Sequence, residues 1–371
     1  MKNKVLCGAD IVKRDGYDFY GSCALVTNHT GVTKDLKSTI DLLMKNCELV
    51  ALFGPEHGVR GDRQAGESVE NSADDKTGLP VYSLYGEKDG RIEEILSSID
   101  TIIYDIQDVG ARFYTYQYTL TDMMKLCAEK NIKVVVLDRP NPIGGLTVEG
   151  TVLNRRFSSF VGRFPIPTRS ALTVGEFALM MNETENIGCE LTVIPMEGWR
   201  RDMFYDETDL AFIQPSPNIP TVDTAFSYIG TCIFENTNLS EGRGTTKPFE
   251  MIGAPWLDSE KVINTVGECN GVILRDCSFT PTFSDYKDTF CHGIQLHITD
   301  RNKYSPFETG IRIFDAIRKT HEEFTVENDI VNLLGTDEIF SPDFSVDEFL
   351  KNADEKTAEW QKLSEKWYLY R

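Results

Sequence analysis

Along the first two hundred residues the apolar positions fall into a repeating order: a short apolar run, a polar turn, then a stretch with helical spacing. "CALVTNHTG" leads into a segment whose Leu36, Ile40, Leu43 and Cys47 recur at intervals of three and four, the spacing of one helix face. "LVALFGPEHG" follows, then "TIIYDIQDVG" with a helix predicted near 117–130, then "KVVVLDRPNP", which ends in a proline-rich turn. Thr173 and Glu176 have the spacing of a capping box that opens a helix, and "LTVIPMEGW" closes the series as a strand. Leu49 to Phe53 is apolar without alternation, as a strand buried on both faces must be. Strands of this kind alternating with helices predict a parallel sheet covered on both sides, an α/β domain over residues 1–205.

The pattern changes near residue 205. "IQPSPNIPT" is rich in proline, and beyond it short strand candidates such as "GIQLHITD" mix with helices predicted near 307–320 and 345–367. Residues 206–371 are therefore read as a second, α+β domain. The charged stretch "DEKTAEWQKLSEKW" reads as a solvated helix face.

The net charge of −20 alters the range of partners. A field of that sign repels nucleic acid and anionic lipid, so an acidic ligand must be small and held by local arginines. No apolar run approaches the roughly 18 residues of a membrane helix, and "MKNKVLCGADIV" lacks the long apolar centre of a signal peptide. The nine cysteines are scattered and never form a CxxC pair, which favours buried thiols and a cytoplasmic location over disulfides or zinc; a removed signal peptide would make the protein secreted or periplasmic. Oligomeric state is left open.

Ligands of open parallel sheets bind beyond the carboxyl ends of the strands. Here those ends carry Asn28, His29 and Thr30; Glu56 and His57; Asp105, Gln107 and Asp108; Asp138, Arg139 and Asn141; and Glu197 with Trp199. Turn formers alone would not need so many titratable and hydrogen-bonding side chains. There is neither a G-x-G-x-x-G after the first strand nor a G-x-x-x-x-G-K-[ST], so no nucleotide cofactor is expected, and "EGRGTTKPFE" reads as a binding loop. A carboxyl boxed by Pro55 and Gly58 can be desolvated and raised toward working pH, which makes Glu56 the candidate for proton transfer. Asp105 or Asp108 could face it across the cleft, and paired carboxylates are what glycoside hydrolysis requires. Arg60, Arg63, Arg112, Arg139 and Arg243 each lie in or beside one of these turns, and converging guanidinium groups suit a substrate carboxylate. Phe113, Tyr114, Tyr116 and Tyr118 are either core or a platform for sugar rings.

"FGPEHGVRG", "TGLPVYSLYG", "IYDIQDVGARFYTY", "VVLDRPNPIGG", "QPSPNIPT" and "TNLSEGRGTTKPFEMIGAPW" resemble the successive signatures of the exo-β-N-acetylmuramidase (NamZ) family, from about residue 20 to past residue 255. The resemblance implies a Rossmann-like domain joined to an auxiliary domain, removing β-linked N-acetylmuramic acid from non-reducing ends of peptidoglycan fragments. The family's catalytic glutamate, in its Gly-Pro-Glu-His-Gly motif, falls on Glu56. One departure is local: where family members usually carry Arg-His-Gly before the Thr-x-Gly-Glu helix start, this chain has Arg169, Ser170 and Ala171. The expected site comprises Glu56 as general acid/base with Asp105 or Asp108 in support. Substrate contacts are expected from His29, His57, Arg60, Arg63, Arg112, Tyr114, Asp138, Arg139, Asn141, Asn218, Glu241 and Arg243, with no metal and no cofactor. Retaining, inverting and substrate-assisted routes stay open. A metal-dependent hydrolase using His29, His57 and nearby aspartates, and a non-catalytic sugar-binding module of the cell wall, are the competing readings.

Overall fold

The computed structural model describes residues 2–55, 58–59, 72–84 and 90–371. Its centre is a sheet whose strands are β1 (Ser22–Thr27), β2 (Glu48–Gly54), β3 (Ser72–Ala73), β4 (Pro80–Ser83), β5 (Thr101–Asp105), β6 (Lys133–Leu137) and β7 (Leu191–Ile194). They lie in the order β3-β4-β2-β1-β5-β6-β7, all parallel except β3, which runs against β4. The central strands are interior because they are apolar on both faces: Ala24, Val26, Ala51, Phe53, Ile102 and Tyr104 pack into one cluster, and Cys23, Leu25, Leu52, Ile103 and Val135 into another. The expected α/β, Rossmann-like architecture is present.

The covering helices follow the local chemistry of the chain. α1 (Gly8–Asp15) abuts the sheet through Gly8, whose N–H donates to the Asp138 carbonyl at 2.9 Å. A Cβ on Gly8 would stand 2.6 Å from the Asp138 nitrogen, so only glycine permits this approach. α4 (Tyr116–Lys130) ends on Asn131 in the left-handed conformation, and α5 (Val174–Thr184) opens with the expected capping box of Thr173 and Glu176. The helix expected from Leu36 to Cys47 is shorter: α2 covers only Thr39–Leu43. Leu36 lies outside it, 55% exposed and with φ of 60°, because the chain first forms a tight bridge between Val32 and Ser38. α3 (Gly90–Leu96) precedes β5.

The second domain carries a three-stranded antiparallel sheet, β8 (Met251–Ala254), β10 (Cys291–Ile298) and β9 (Val272–Phe279) in that order. Around it stand α6 (Val222–Thr231), α7 (Ser259–Val266), α8 (Pro306–Thr320), α9 (Ile330–Leu334) and α10 (Val346–Ser364). α6 and α8 cross backbone to backbone at Gly230 and Gly310; a Cβ on Gly310 would meet the Gly230 carbonyl at 2.1 Å. The apolar cluster of the first sheet continues into this domain through Phe226, Ile229, Phe249, Phe307 and Leu333. The chain then returns to the first sheet, where the Tyr370 hydroxyl donates to Asp138 at 2.5 Å.

Candidate active site

β1 and β5 are adjacent, and the chain fills the sheet outward from them in opposite directions, through β2 and β4 on one side and β6 and β7 on the other. The connections therefore part beyond their carboxyl ends, and that switch point is where an open sheet leaves a crevice. Asn28, His29 and Thr30 follow β1; Ile106, Gln107 and Asp108 follow β5. The Thr30 hydroxyl ties the two ends together, donating to Asn28 Oδ1 at 2.5 Å and accepting the Gln107 N–H at 2.9 Å. The proline-rich segment 214–220 crosses over them: the His29 ring donates from Nε2 to the Gln214 carbonyl at 2.6 Å, and the Tyr116 hydroxyl donates to the Pro215 carbonyl at 2.9 Å.

Among the described residues that follow β5, Asp108 has a carboxyl with an unbonded oxygen. Its Oδ1 accepts the Gly110 N–H at 2.8 Å, while Oδ2 is buried without a hydrogen-bond partner among the described residues. Burial raises it to about 7, with the N–H groups of Gly110 and Val109 pulling the other way. A carboxyl so placed holds or releases a proton near neutral pH.

Asp105 differs from the expectation. Its side chain is fully buried and bound on both oxygens by Arg139, from Nε at 2.5 Å and Nη2 at 2.9 Å, with the Thr39 hydroxyl also donating. Arg139 Nη2 also donates to the Val32 carbonyl at 2.8 Å. Both Asp105 oxygens are thus taken up by Arg139 and Thr39, and Arg139 Nε and Nη2 are engaged by Asp105 and Val32. Asp138 is likewise consumed. It accepts from Thr173 Oγ1 at 2.7 Å, the Gly175 N–H at 2.8 Å and the Tyr370 hydroxyl, an anion held at the N-terminus of α5; burial raises it to about 6 against those bonds. Asn141 bonds the Leu172 carbonyl at 2.9 Å and the Ile143 N–H at 3.2 Å, and Arg112, 1% exposed, donates to the carbonyls of Ile166 at 2.9 Å and Leu333 at 2.7 Å. Among the described residues no carboxylate pairs with Arg112, and burial lowers it to about 10. These four residues were expected to touch substrate; their partners are internal.

Tyr114, Asn218 and Arg243 come together on a cavity of about 140 Å3, walled by Phe113, Tyr228 and Phe249 and lined also by Tyr116 and Ser216. Phe249 holds its place with φ of 61°, a conformation that bulky side chains rarely adopt. Arg243 lies over its ring at 4.7 Å and pairs with Glu235 and with Glu241, the latter at 2.5 Å. Burial lowers the Arg243 pKa but its two carboxylates more than reverse that, while burial raises Glu241 against the pull of Arg243. Two acids around one guanidinium leave no net positive charge for an anionic ligand. Glu197, at the fifth strand end, pairs with Arg14 on the surface at 2.6 Å. Arg169, beside the local departure at Ser170 and Ala171, is buried against Glu149 at 2.8 Å.

Glu56, His57, Arg60 and Arg63 lie outside the described residues; the described chain reaches Gly54 and Pro55, at the end of β2 and next to β1. Asn28 and Gln107 were noted at strand ends but not assigned as site residues from the sequence, and Glu235 was not singled out. The first two share a legible signal, an amide side chain at the end of each central strand, whereas Glu235 has none. Among the described residues no group of three His, Cys, Asp or Glu side chains is arranged to hold a metal ion, and no helix is long and apolar enough to cross a membrane.

A parallel sheet with polar side chains at its switch point, crossed by a segment leading into a domain with an antiparallel sheet, defines a two-domain α/β protein. The sequence matches the N-terminal domain of the exo-β-N-acetylmuramidase NamZ over residues 23–223 and its C-terminal domain over residues 226–370, and the chain belongs to this family. It is 49% identical over 303 residues to the peptidoglycan β-N-acetylmuramidase NamZ of Bacillus subtilis strain 168, covering 81% of this chain and 73% of the relative. Two crystal structures of DUF1343-family proteins from Bacteroides fragilis superimpose over 99% of both chains, one at 37% identity with a TM-score of 0.89, the other at 30% with 0.81.

Proposed function

We infer that the protein is a glycoside hydrolase that releases N-acetylmuramic acid from the non-reducing ends of peptidoglycan fragments. The observation that carries this is the 49% identity with the Bacillus subtilis peptidoglycan β-N-acetylmuramidase over 81% of the chain. Glu56, in the Gly-Pro-Glu-His-Gly motif, is the proton-transferring group. Asp108 rather than Asp105 is the second carboxyl, because Asp105 is locked to Arg139 while Asp108 keeps one oxygen unbonded. With burial raising it to about 7, Asp108 can hold a proton on Oδ2 and offer it as a hydrogen bond to a sugar oxygen at neutral pH, leaving proton transfer to Glu56. The lactyl carboxylate falls to Arg60 and Arg63, since Arg112, Arg139 and Arg243 have internal partners.

The test compares hydrolysis of para-nitrophenyl β-N-acetylmuramide with that of the corresponding N-acetylglucosaminide, which lacks the lactyl group. A site with guanidinium groups left unpaired by the second sugar should favour the first by more than about thirtyfold. Comparable rates on both would overturn the muramidase reading, and binding without hydrolysis of either would favour the sugar-binding module.

A further inference from the structure

Two side-chain amides at the switch point are each half satisfied. Asn28 and Gln107 are both 3% exposed, one at the end of each central strand. Asn28 Oδ1 accepts the Thr30 N–H at 2.9 Å; a backbone N–H can only donate, so the free atom of this amide is the donor Nδ2. Gln107 Nε2 donates to the carbonyls of Asp108 at 2.8 Å and Pro140 at 2.7 Å; carbonyls can only accept, so its free atom is the acceptor Oε1. Neither amide can be turned round without setting like against like. Thr30 braces both, through its hydroxyl to Asn28 Oδ1 and from the Gln107 N–H. The fold thus holds one donor and one acceptor, unpaired among the described residues, just beyond two neighbouring strands, with the acceptor on the residue before Asp108. Buried polar atoms are otherwise nearly always bonded.

We propose that Asn28 and Gln107 recognise the 2-acetamido group of the muramoyl sugar, Asn28 Nδ2 donating to its carbonyl and Gln107 Oε1 accepting its N–H. A secondary amide carries one acceptor and one donor, the complement of this pair; a carboxylate would meet an oxygen at Gln107. A peptide amide attached through the lactyl group has the same chemistry. The acetamido group, however, sits one bond from the anomeric carbon's neighbour, so it must lie beside the carboxyls that act on that carbon, and the peptide lies farther out. The inference rests on the muramidase reading and adds the residues that set its choice of sugar.

The experiment measures inhibition of para-nitrophenyl β-N-acetylmuramide hydrolysis by N-acetylmuramic acid, by 3-O-lactylglucose and by N-acetylmuramoyl dipeptide. 3-O-lactylglucose keeps the lactyl group and replaces the acetamido group by hydroxyl. Wild type should bind N-acetylmuramic acid at least about tenfold tighter than 3-O-lactylglucose, because the second sugar leaves both amides unpaired. Asn28→Asp keeps the oxygen that serves Thr30 and replaces the free N–H by an acceptor; its preference should fall to about threefold or less. Equal wild-type affinities would overturn the proposal, and this comparison decides even if Asn28→Asp does not fold. An unchanged preference in folded Asn28→Asp would also overturn it, as expected if the pair is served by internal water. Affinity gained from the dipeptide, with none from the acetamido group, would assign the pair to a peptide amide and refute the acetamido site. Wild type that leaves the chromogenic muramide uncleaved removes the muramidase reading itself, and this inference with it.

Discussion

Asp105→Asn separates a structural carboxylate from a catalytic one. The substitution removes the charge that faces Arg139, which is 4% exposed and receives no other carboxylate among the described residues. Breaking a buried pair from one side costs about 3–5 kcal/mol, because the surviving charge stays desolvated. The Asn oxygen can still accept from one guanidinium N–H or from Thr39, and Arg139 keeps its bond to the Val32 carbonyl at 2.8 Å, so the lower end, about 3 kcal/mol, is expected. At about 2 °C per kcal/mol, the small end of the range for larger domains, melting should fall by roughly 6 °C. Differential scanning calorimetry on wild type, Asp105→Asn, Arg139→Gln and the double variant provides the test. The double variant should be less destabilised than the sum of the singles by about 2 kcal/mol, since neither charge is then left alone. A melting temperature within about 1 °C of wild type, together with lost turnover, would refute the reasoning and return Asp105 to the reaction.

Asp108 gives a pH signature. Burial raises it to about 7 from an ordinary 3.8, so the folded protein holds this proton more tightly than the unfolded chain. The resulting stabilisation is complete below about pH 4 and is lost as pH rises toward about 7. Asp108→Asn should therefore show a smaller loss of urea stability between about pH 4 and pH 8 than wild type, and turnover lowered about 10²–10⁴-fold; identical pH dependence would contradict the assignment. Arg243→Gln frees Glu235 and Glu241 from their partner, so it should lower the melting temperature while preserving the preference for muramic over glucosamine substrates. Arg60→Gln or Arg63→Gln should reduce that preference by about tenfold or more; loss of preference in Arg243→Gln instead would place the lactyl group in the cavity of Tyr114 and Asn218.

The parallel sheet was legible because burial on both faces leaves unbroken apolar runs such as Leu49 to Phe53, and α5 because its capping box is local. The helix through Leu36 was misread because a hairpin-like bridge between Val32 and Ser38 overrides the spacing. Strand ends identify where polar side chains gather, not which of them face one another. Asp105 and Arg139 both stood at strand ends and were read as site residues; that they neutralise each other depends on β5 and β6 being neighbours, which is a tertiary fact. Asp138 was claimed by Tyr370, a residue 232 positions away. Asp108 was readable as a candidate, but its distinction from Asp105 depends on which oxygen is left unbonded.

The account's central claim is met most directly by incubating wild type and Glu56→Gln with a disaccharide of N-acetylmuramic acid β-linked to N-acetylglucosamine and identifying the products by mass spectrometry. Wild type should release free N-acetylmuramic acid and N-acetylglucosamine in equal amounts, and Glu56→Gln should bind the disaccharide yet release about 10²–10⁴-fold less, because an amide cannot deliver the proton. An intact disaccharide after prolonged incubation with wild type, or undiminished release by Glu56→Gln, would contradict it.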